Sequence, residues 1–228
     1  MELLKGKLIV IEGCDGSGKA TQTRRLYKRL LNEKYNVKKV EYPNYNSQSS
    51  ALVKMYLNGE FGKNPEDVNA YVASTFYGVD RFASYKIQWK EFYEHGGIVL
   101  ADRYTTSNMI HQASKINNIE EKDKFLDWLW DFEFNIFKLP IPDCVIFLDV
   151  PPEYSKNLML ERNNKFTGNM EKDIHESNYK YLVNSYNNAL YIVSKYGWNK
   201  IPCIENNKIS AVNKIHESIY NLISRILK

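Results

Sequence analysis

Apolar residues gather along the chain in five short runs, at 8–11 (Leu-Ile-Val-Ile), 37–42, 98–101 (Ile-Val-Leu-Ala), 144–148 and 200–204. Between them apolar positions return at helical spacing, which predicts helices over 18–34, 47–57, 65–95, 107–116, 120–137, 152–162, 171–196 and 210–227. Nearly continuous apolar strands that alternate with helices are the mark of a parallel sheet covered on both faces. The expected fold is therefore α/β, a five-stranded parallel sheet with helices on both faces, as one domain over 1–228. Right-handed crossovers bring ligands to the carboxyl ends of such strands. Chemistry is thus sought just after the first three runs.

The first run leads into Gly13-Cys14-Asp15-Gly16-Ser17-Gly18-Lys19-Ala20-Thr21, which matches the phosphate-loop pattern G-x-x-x-x-G-K up to its last position. Glycines let backbone N–H groups turn inward around phosphate oxygens, a helix starting at Gly18 adds its positive end, and Lys19 reaches the outer phosphates. Ala20 stands where a Ser or Thr usually holds Mg²⁺. Thr21 lies about 100° further around the helix and points elsewhere. Either water and a nearby carboxylate hold the metal, or the loop binds phosphate without catalysis.

After the third run comes Asp102-Arg103-Tyr104, then Ser107, Asn108, His111 and Gln112. Arg103 reads either as a bidentate phosphate clamp or as half of an ion pair with Asp102. Asn108 and Gln112, four apart, share a helical face and can read the edge of a base. Within the predicted 65–95 helix, Phe76 and Asp80 share a face with Arg81 one position on, so a ring and a guanidinium can flank one planar ligand. The alternative is that Phe76 is core and Arg81 surface. Residues 162–172, with Arg162, Lys165 and Lys172, break the helical pattern as either a phosphate-covering lid or an ordinary solvated connection. Glu205-Asn206-Asn207 is either a plain turn or an edge of a base pocket.

Composition narrows the field. Lys and Arg number 31 against 27 Asp and Glu, a balance of +4, which suits an anionic small substrate better than nucleic acid. Cys14, Cys144 and Cys203 form no Cys-x-x-Cys pair, so neither a zinc cage nor a disulfide framework is indicated. No leader and no membrane-spanning stretch is expected, which points to the cytoplasm.

Taken together and in order, these segments resemble the thymidylate kinases among the P-loop nucleoside monophosphate kinases. The resemblance rests on the Asp15-to-Gln22 loop, Tyr42-Pro43 after the second run, Phe76 to Arg81, Asp102-Arg103-Tyr104-x-x-Ser107-Asn108, and Asp173, Glu176 and Tyr186 further on. It implies a P-loop NTPase fold with a lid at about 162–172, a homodimer, and transfer of phosphate from Mg-ATP to dTMP. By the same resemblance Phe76 stacks on thymine, Arg81 and Asn108 bond its edge, and Arg103 holds the acceptor phosphate. Lys19 and Arg162 stabilise the transferred group, while Asp15 and Asp102 stand near Mg²⁺, directly or through water. His111 replaces the family's usual Tyr or Phe, and Arg162 is the lid's lone arginine, so catalysis is expected to lean on it. Other readings are a kinase for another deoxynucleotide or a deoxynucleoside, with Glu12 as the base beside the loop, and a non-catalytic nucleotide-binding regulator.

Overall fold

The computed structural model describes residues 5–155, 174–175 and 178–227. Its strands are β1 (Lys7–Glu12), β2 (Val37–Glu41), β3 (Ile98–Asp102), β4 (Cys144–Asp149) and β5 (Asn199–Pro202). They form one sheet in the order β2-β3-β1-β4-β5, with every neighbouring pair parallel. The helices are α1 (Lys19–Asn32), α2 (Ala51–Leu57), α3 (Ala70–Ser84), α4 (Lys90–Glu94), α5 (Thr105–His111), α6 (Ile119–Trp130), α7 (Tyr179–Tyr196) and α8 (Val212–Ile226). None of the described helices is long and apolar enough to cross a membrane.

Alternation along the strands divides the core in two. Ile9, Ile11, Leu100, Ile146 and Leu148 face Leu26 and Leu30 of α1 and Ile215, Ile219 and Ile223 of α8. Leu8, Val10, Val99, Ala101 and Val145 face the opposite way, onto Trp89, Tyr93, Phe134 and Leu139. Both faces of the sheet are thus dry, as near-continuous apolar strands require. In the parallel register Asp102 stands beside both Ile11 and Glu41, so the carboxyl ends of β1, β2 and β3 finish level with one another.

Several predicted helices are divided. The 65–95 segment opens as a 3₁₀ turn, Pro65–Asp67, and Asn69 starts α3 by accepting a hydrogen bond from the Val72 N–H at 2.9 Å. A π turn, Tyr85–Trp89, then separates α3 from α4 and places Trp89 in the sheet-facing core. A second π turn, Asp131–Ile136, extends α6 and buries Glu133. The 47–57 segment is a 3₁₀ turn followed by α2, and the 107–116 helix begins earlier, at Thr105.

The fifth predicted strand stops at Pro202, and Ile204–Glu205 pairs antiparallel with Lys208–Ile209 as β6 and β7. Asn206 and Asn207 both adopt the left-handed backbone that a two-residue hairpin turn requires. The predicted 171–196 helix is helical from Tyr179, with a turn at 174–175, and the predicted 152–162 helix is helical at 152–155. The lid at 162–172, with Arg162, Lys165 and Lys172, lies outside the described residues, as do Asp173 and Glu176.

Candidate active site

A cavity of about 400 Å³ opens over the level ends of β1, β2 and β3. One wall is the loop from Asp15 to Thr21. Gly13 admits no side chain there, because a Cβ would come within 2.5 Å of Ser17 Oγ and 3.1 Å of the Leu148 carbonyl. Gly18, at φ 86°, supplies the left-handed N-cap of α1, and no side chain caps that helix. Lys19 folds back over the loop and donates from Nζ to the carbonyls of Gly13 (2.7 Å) and Cys14 (2.8 Å). Burial, helped by the positive charge of Arg103, lowers the Lys19 pKa to about 8. Burial pushes the Cys14 thiol up to about 12, so it stays protonated.

Glu12, the last residue of β1, is fully buried beneath the start of α5. Its Oε1 accepts from the Tyr104 N–H (3.2 Å), Thr106 Oγ1 (2.6 Å) and Ser107 Oγ (2.8 Å). Burial is the largest influence on its carboxyl and raises its pKa. Glu12 therefore anchors α5, and every one of its partners is a group of that helix or its N-cap. Between β3 and α5, Arg103 sits at φ 69°, a left-handed conformation uncommon for a non-glycine residue. Its guanidinium pairs with Asp15 and donates to His111 Nε2 at 3.1 Å. Asp102, its sequence neighbour, is not the ion-pair partner. Asp102 keeps a buried Oδ2 with no hydrogen-bond partner. Because a guanidinium can only donate, His111 accepts at Nε2 and carries its proton on Nδ1. Burial first, then Arg103, lowers its pKa to about 3, so the ring is neutral.

The opposite wall holds Tyr42, Pro43, Arg81, Arg103, Ser107, Asn108, His111 and Gln112, all predicted from the sequence. Tyr42 is mainly an anchor: its hydroxyl donates to Ser84 Oγ (3.1 Å) and accepts from Trp89 Nε1 (2.9 Å). Asp80 holds the loop after β2 by accepting from the Asn44 N–H (2.7 Å) and Ser49 Oγ (2.6 Å). Gln112 offers a buried Oε1 with no partner.

Two assignments change in the structure. Phe76 packs against Tyr56 and Phe61 and is not part of the cavity lining, whereas Tyr77 is. The reason is helical phase: Tyr77 stands four residues before Arg81 and shares its face, while Phe76 is turned away by about 100°. Arg81 is neither a surface residue nor free to use its whole fork. It is 1% exposed, and Nε and Nη2 grip Glu133 at 2.6 and 2.5 Å. Arg81 Nη1 reaches the Tyr104 carbonyl at 3.4 Å, and Thr105 Oγ1 donates to the same Glu133 at 2.6 Å. Gly13, Cys14 and Asp102 support the site from outside its lining. Beyond Tyr77, the lining adds Glu41, Tyr45, Leu57, Tyr104 and His175 to the sequence-derived set. Of these, Tyr77 was accessible from its i, i+4 relation to Arg81.

The profile of the family described as "Thymidylate kinase" matches residues 11–213, which include the phosphate loop, Arg81, α5 and its preceding Arg103. The chain belongs to the thymidylate kinase family. It is 31% identical to the thymidylate kinase of Buchnera aphidicola subsp. Baizongia pistaciae over 212 residues, 92% of each chain. It is 29% identical to the thymidylate kinase of Plasmodium falciparum over 153 residues, 67% of this chain and 66% of that one. The similarity to the Plasmodium protein thus spans slightly less than two thirds of its length. The fold is similar to that in "Structure of Thymidylate Kinase from Candida albicans Reveals Origin of Broad Substrate Specificity and a Novel Structural Element", with a TM-score of 0.73 at 20% identity. That match covers 97% of this chain and 92% of the other.

Replacing Glu133 with Gln strands the Arg81 charge in the core, and denaturant titration is expected to show a loss of about 3–5 kcal/mol. The double replacement Arg81→Met with Glu133→Leu should recover most of that loss; a stable single variant would show that the pair does not hold the site. At Lys19 the sign follows from the depressed pKa. Near pH 8 about half of the free protein holds Lys19 neutral. Bound phosphates favour the ammonium, so ATP binding should take up protons there and weaken as pH rises further. Calorimetry in buffers of different ionisation enthalpy measures this, and proton release on binding would contradict it.

Proposed function

We propose that the chain transfers the γ-phosphoryl group of ATP to dTMP, giving dTDP and ADP. One observation carries this reading: two cations, the buried Lys19 on the phosphate loop and the partly buried Arg103 at the head of α5, line one cavity. Each is held by groups that a phosphate can replace, two carbonyls for Lys19 and Asp15 for Arg103. Lys19, with the uncapped N-terminus of α1, suits the donor phosphates, and Arg103 suits the phosphate of the acceptor. Tyr77, Arg81, Asn108 and Gln112 supply a ring and polar edges for a planar base. Family membership makes that base thymine.

A phosphate monoester has a second pKa of about 6 and attacks as a dianion, so no general base is needed. Glu12, the carboxylate that a nucleoside kinase would require beside the loop, is instead enclosed under α5 with Tyr104, Thr106 and Ser107. That placement weighs against a hydroxyl acceptor. The residues' task is alignment and charge neutralisation for in-line transfer. Arg162 is assigned to the transferred phosphoryl group on family resemblance.

The site fits Mg²⁺ carried in with ATP. Among the described residues no three His, Cys, Asp or Glu side chains gather into a metal cage, and Ala20 offers no oxygen. Asp102 does hold a buried oxygen without a partner, and Asp15 lies in the loop wall of the cavity. We assign these two to the metal's hydration shell. Mg²⁺ when bound neutralises donor phosphate oxygens, leaving Lys19 and Arg103 to hold the two nucleotides in line.

We assign the protein to the cytoplasm as one catalytic domain acting as a homodimer. Val72 and Val79, seven apart on the outer side of α3, are 43% and 46% exposed, an apolar stripe that a second copy would cover.

With Mg-ATP, ADP release is expected to be fastest with dTMP, slower with dUMP, and slight with UMP, dCMP, AMP or thymidine. Faster turnover of thymidine than of dTMP would move the chain to the nucleoside kinases, and ATP binding without turnover on any acceptor would make it a regulator. Sedimentation velocity should find a dimer that Val79→Asp converts to monomer; a monomeric parent would remove the stripe's assignment.

A further inference from the structure

A second cavity, of about 350 Å³, shares no lining residue with the first. Its exposed members include Glu66 from the 3₁₀ turn before α3, Tyr71 on α3, and Glu121 and Lys124 on α6. Lys115 and Ile116, at the end of the 3₁₀ turn that follows α5, are half-buried. Tyr71 is held edge-on to Phe125 at 5.1 Å and lies 4.8 Å from the Trp128 ring, which gives the cavity a fixed aromatic wall. None of the residues assigned to phosphoryl transfer lines it.

Lys115 is the unusual member of this set. Its Nζ donates to the Tyr56 hydroxyl at 2.9 Å and to the Val68 carbonyl at 2.8 Å, both of them neutral acceptors. Among the described residues no carboxylate lies within ion-pair distance of it. Burial lowers its pKa to about 7, against the weaker opposing pull of Glu66. Glu121 and Lys124 are the other charges lining the cavity, and His175, behind Tyr56, is kept neutral mainly by its own burial. A neutral amine carries two hydrogens and one lone pair. The two acceptors take the hydrogens, and Tyr56 has the Pro65 carbonyl (3.2 Å) and His175 Nε2 (2.9 Å) to receive its own. The lone pair of Lys115 is therefore not needed to hold the structure together.

We propose that Lys115 is a nucleophile for small uncharged aldehydes that enter this second cavity, with which it forms an imine. Glu66 and Glu121 against Lys124 disfavour an anionic electrophile, while Tyr71 and Ile116 offer apolar surface to a neutral one. The amine nitrogen adds to the carbonyl carbon to give a carbinolamine, whose hydroxyl then leaves as water while the C=N bond forms. Both nitrogen hydrogens depart in that water, and nothing is oxidised or reduced. An imine has no N–H, and its protonated form has one, so at least one of the ties from Lys115 to Tyr56 on α2 and to Val68 before α3 is released.

At pH 7 about half of Lys115 is neutral, against on the order of one in two thousand of an ordinary lysine. The test is to treat the full chain at pH 7 with propionaldehyde and cyanoborohydride, which traps the imine as a secondary amine, and to follow each lysine by peptide mass mapping at early times. Lys115 should label about tenfold or more faster than Lys124, which opens on the same cavity and meets the same reagent. In guanidinium chloride the ratio should fall to about one. With glyoxylate, an anionic aldehyde, it should be severalfold smaller than with propionaldehyde. Labelling of Lys115 no faster than Lys124, or a preference that survives unfolding, would overturn the proposal, and equal ratios for the two aldehydes would overturn the assignment to uncharged ones.

Discussion

The site depends on one buried carboxylate. Glu12 ends the central strand and has no solvent to hydrate it, so its charge is tolerable only while several donors surround it. Those donors are the Tyr104 amide and the hydroxyls of Thr106 and Ser107, all at the head of α5. The strand therefore fixes the helix by the cost of leaving Glu12 unmet. Once α5 is fixed, Ser107, Asn108, His111 and Gln112 follow by helical geometry, and Arg103 is forced into its left-handed backbone just before it. A residue that looks from sequence like a general base is instead the fastening that gives the acceptor side its shape.

A second buried charge makes the opposite wall rigid. Arg81 and Glu133 come from separate helical segments, and each would be intolerable in the core without the other. Glu133 arrives there because the π turn after α6 changes the phase of the chain. Thr105, the first residue of α5, donates to the same carboxylate. Glu12 and Glu133 thus hold the start of α5 from two sides, through Thr106 and Ser107 and through Thr105. The acceptor wall is joined by charge-assisted hydrogen bonds as well as by apolar packing, which limits how far Arg81, Arg103 and Asn108 can move relative to one another.

How much of this could be read beforehand follows from which forces are local. The five strands were legible because a parallel sheet with two covered faces needs nearly continuous apolar runs, and the phosphate loop because its glycines and lysine are adjacent in sequence. The level strand ends then located Arg103, Ser107, Asn108, His111 and Gln112. The π turns were not legible: Tyr85–Trp89 and Asp131–Ile136 carry ordinary helix-compatible residues, and their geometry is set by what Trp89 and Glu133 meet in the folded core. The ring facing the cavity was placed one residue off, at Phe76, since a one-residue error in helical phase turns a side chain by about 100°. Glu133 and His175 were invisible for a different reason: Glu133 lies 28 residues from Thr105 and 52 from Arg81, and His175 lies 119 from Tyr56, so no local spacing marks either.

The arrangement of charge also explains how two cations share one cavity wall. Lys19 and Arg103 repel, and each lowers the stability of the other's charge. Lys19 rests on two loop carbonyls, while Arg103 rests on Asp15, with Glu12 and Asp102 as further negative charges nearby. These partners are placeholders of graded strength. Carbonyl dipoles hold an ammonium less firmly than phosphate does, so Lys19 can be exchanged at modest cost. The Asp15 carboxylate holds Arg103 more strongly, and an acceptor phosphate has to share or displace it.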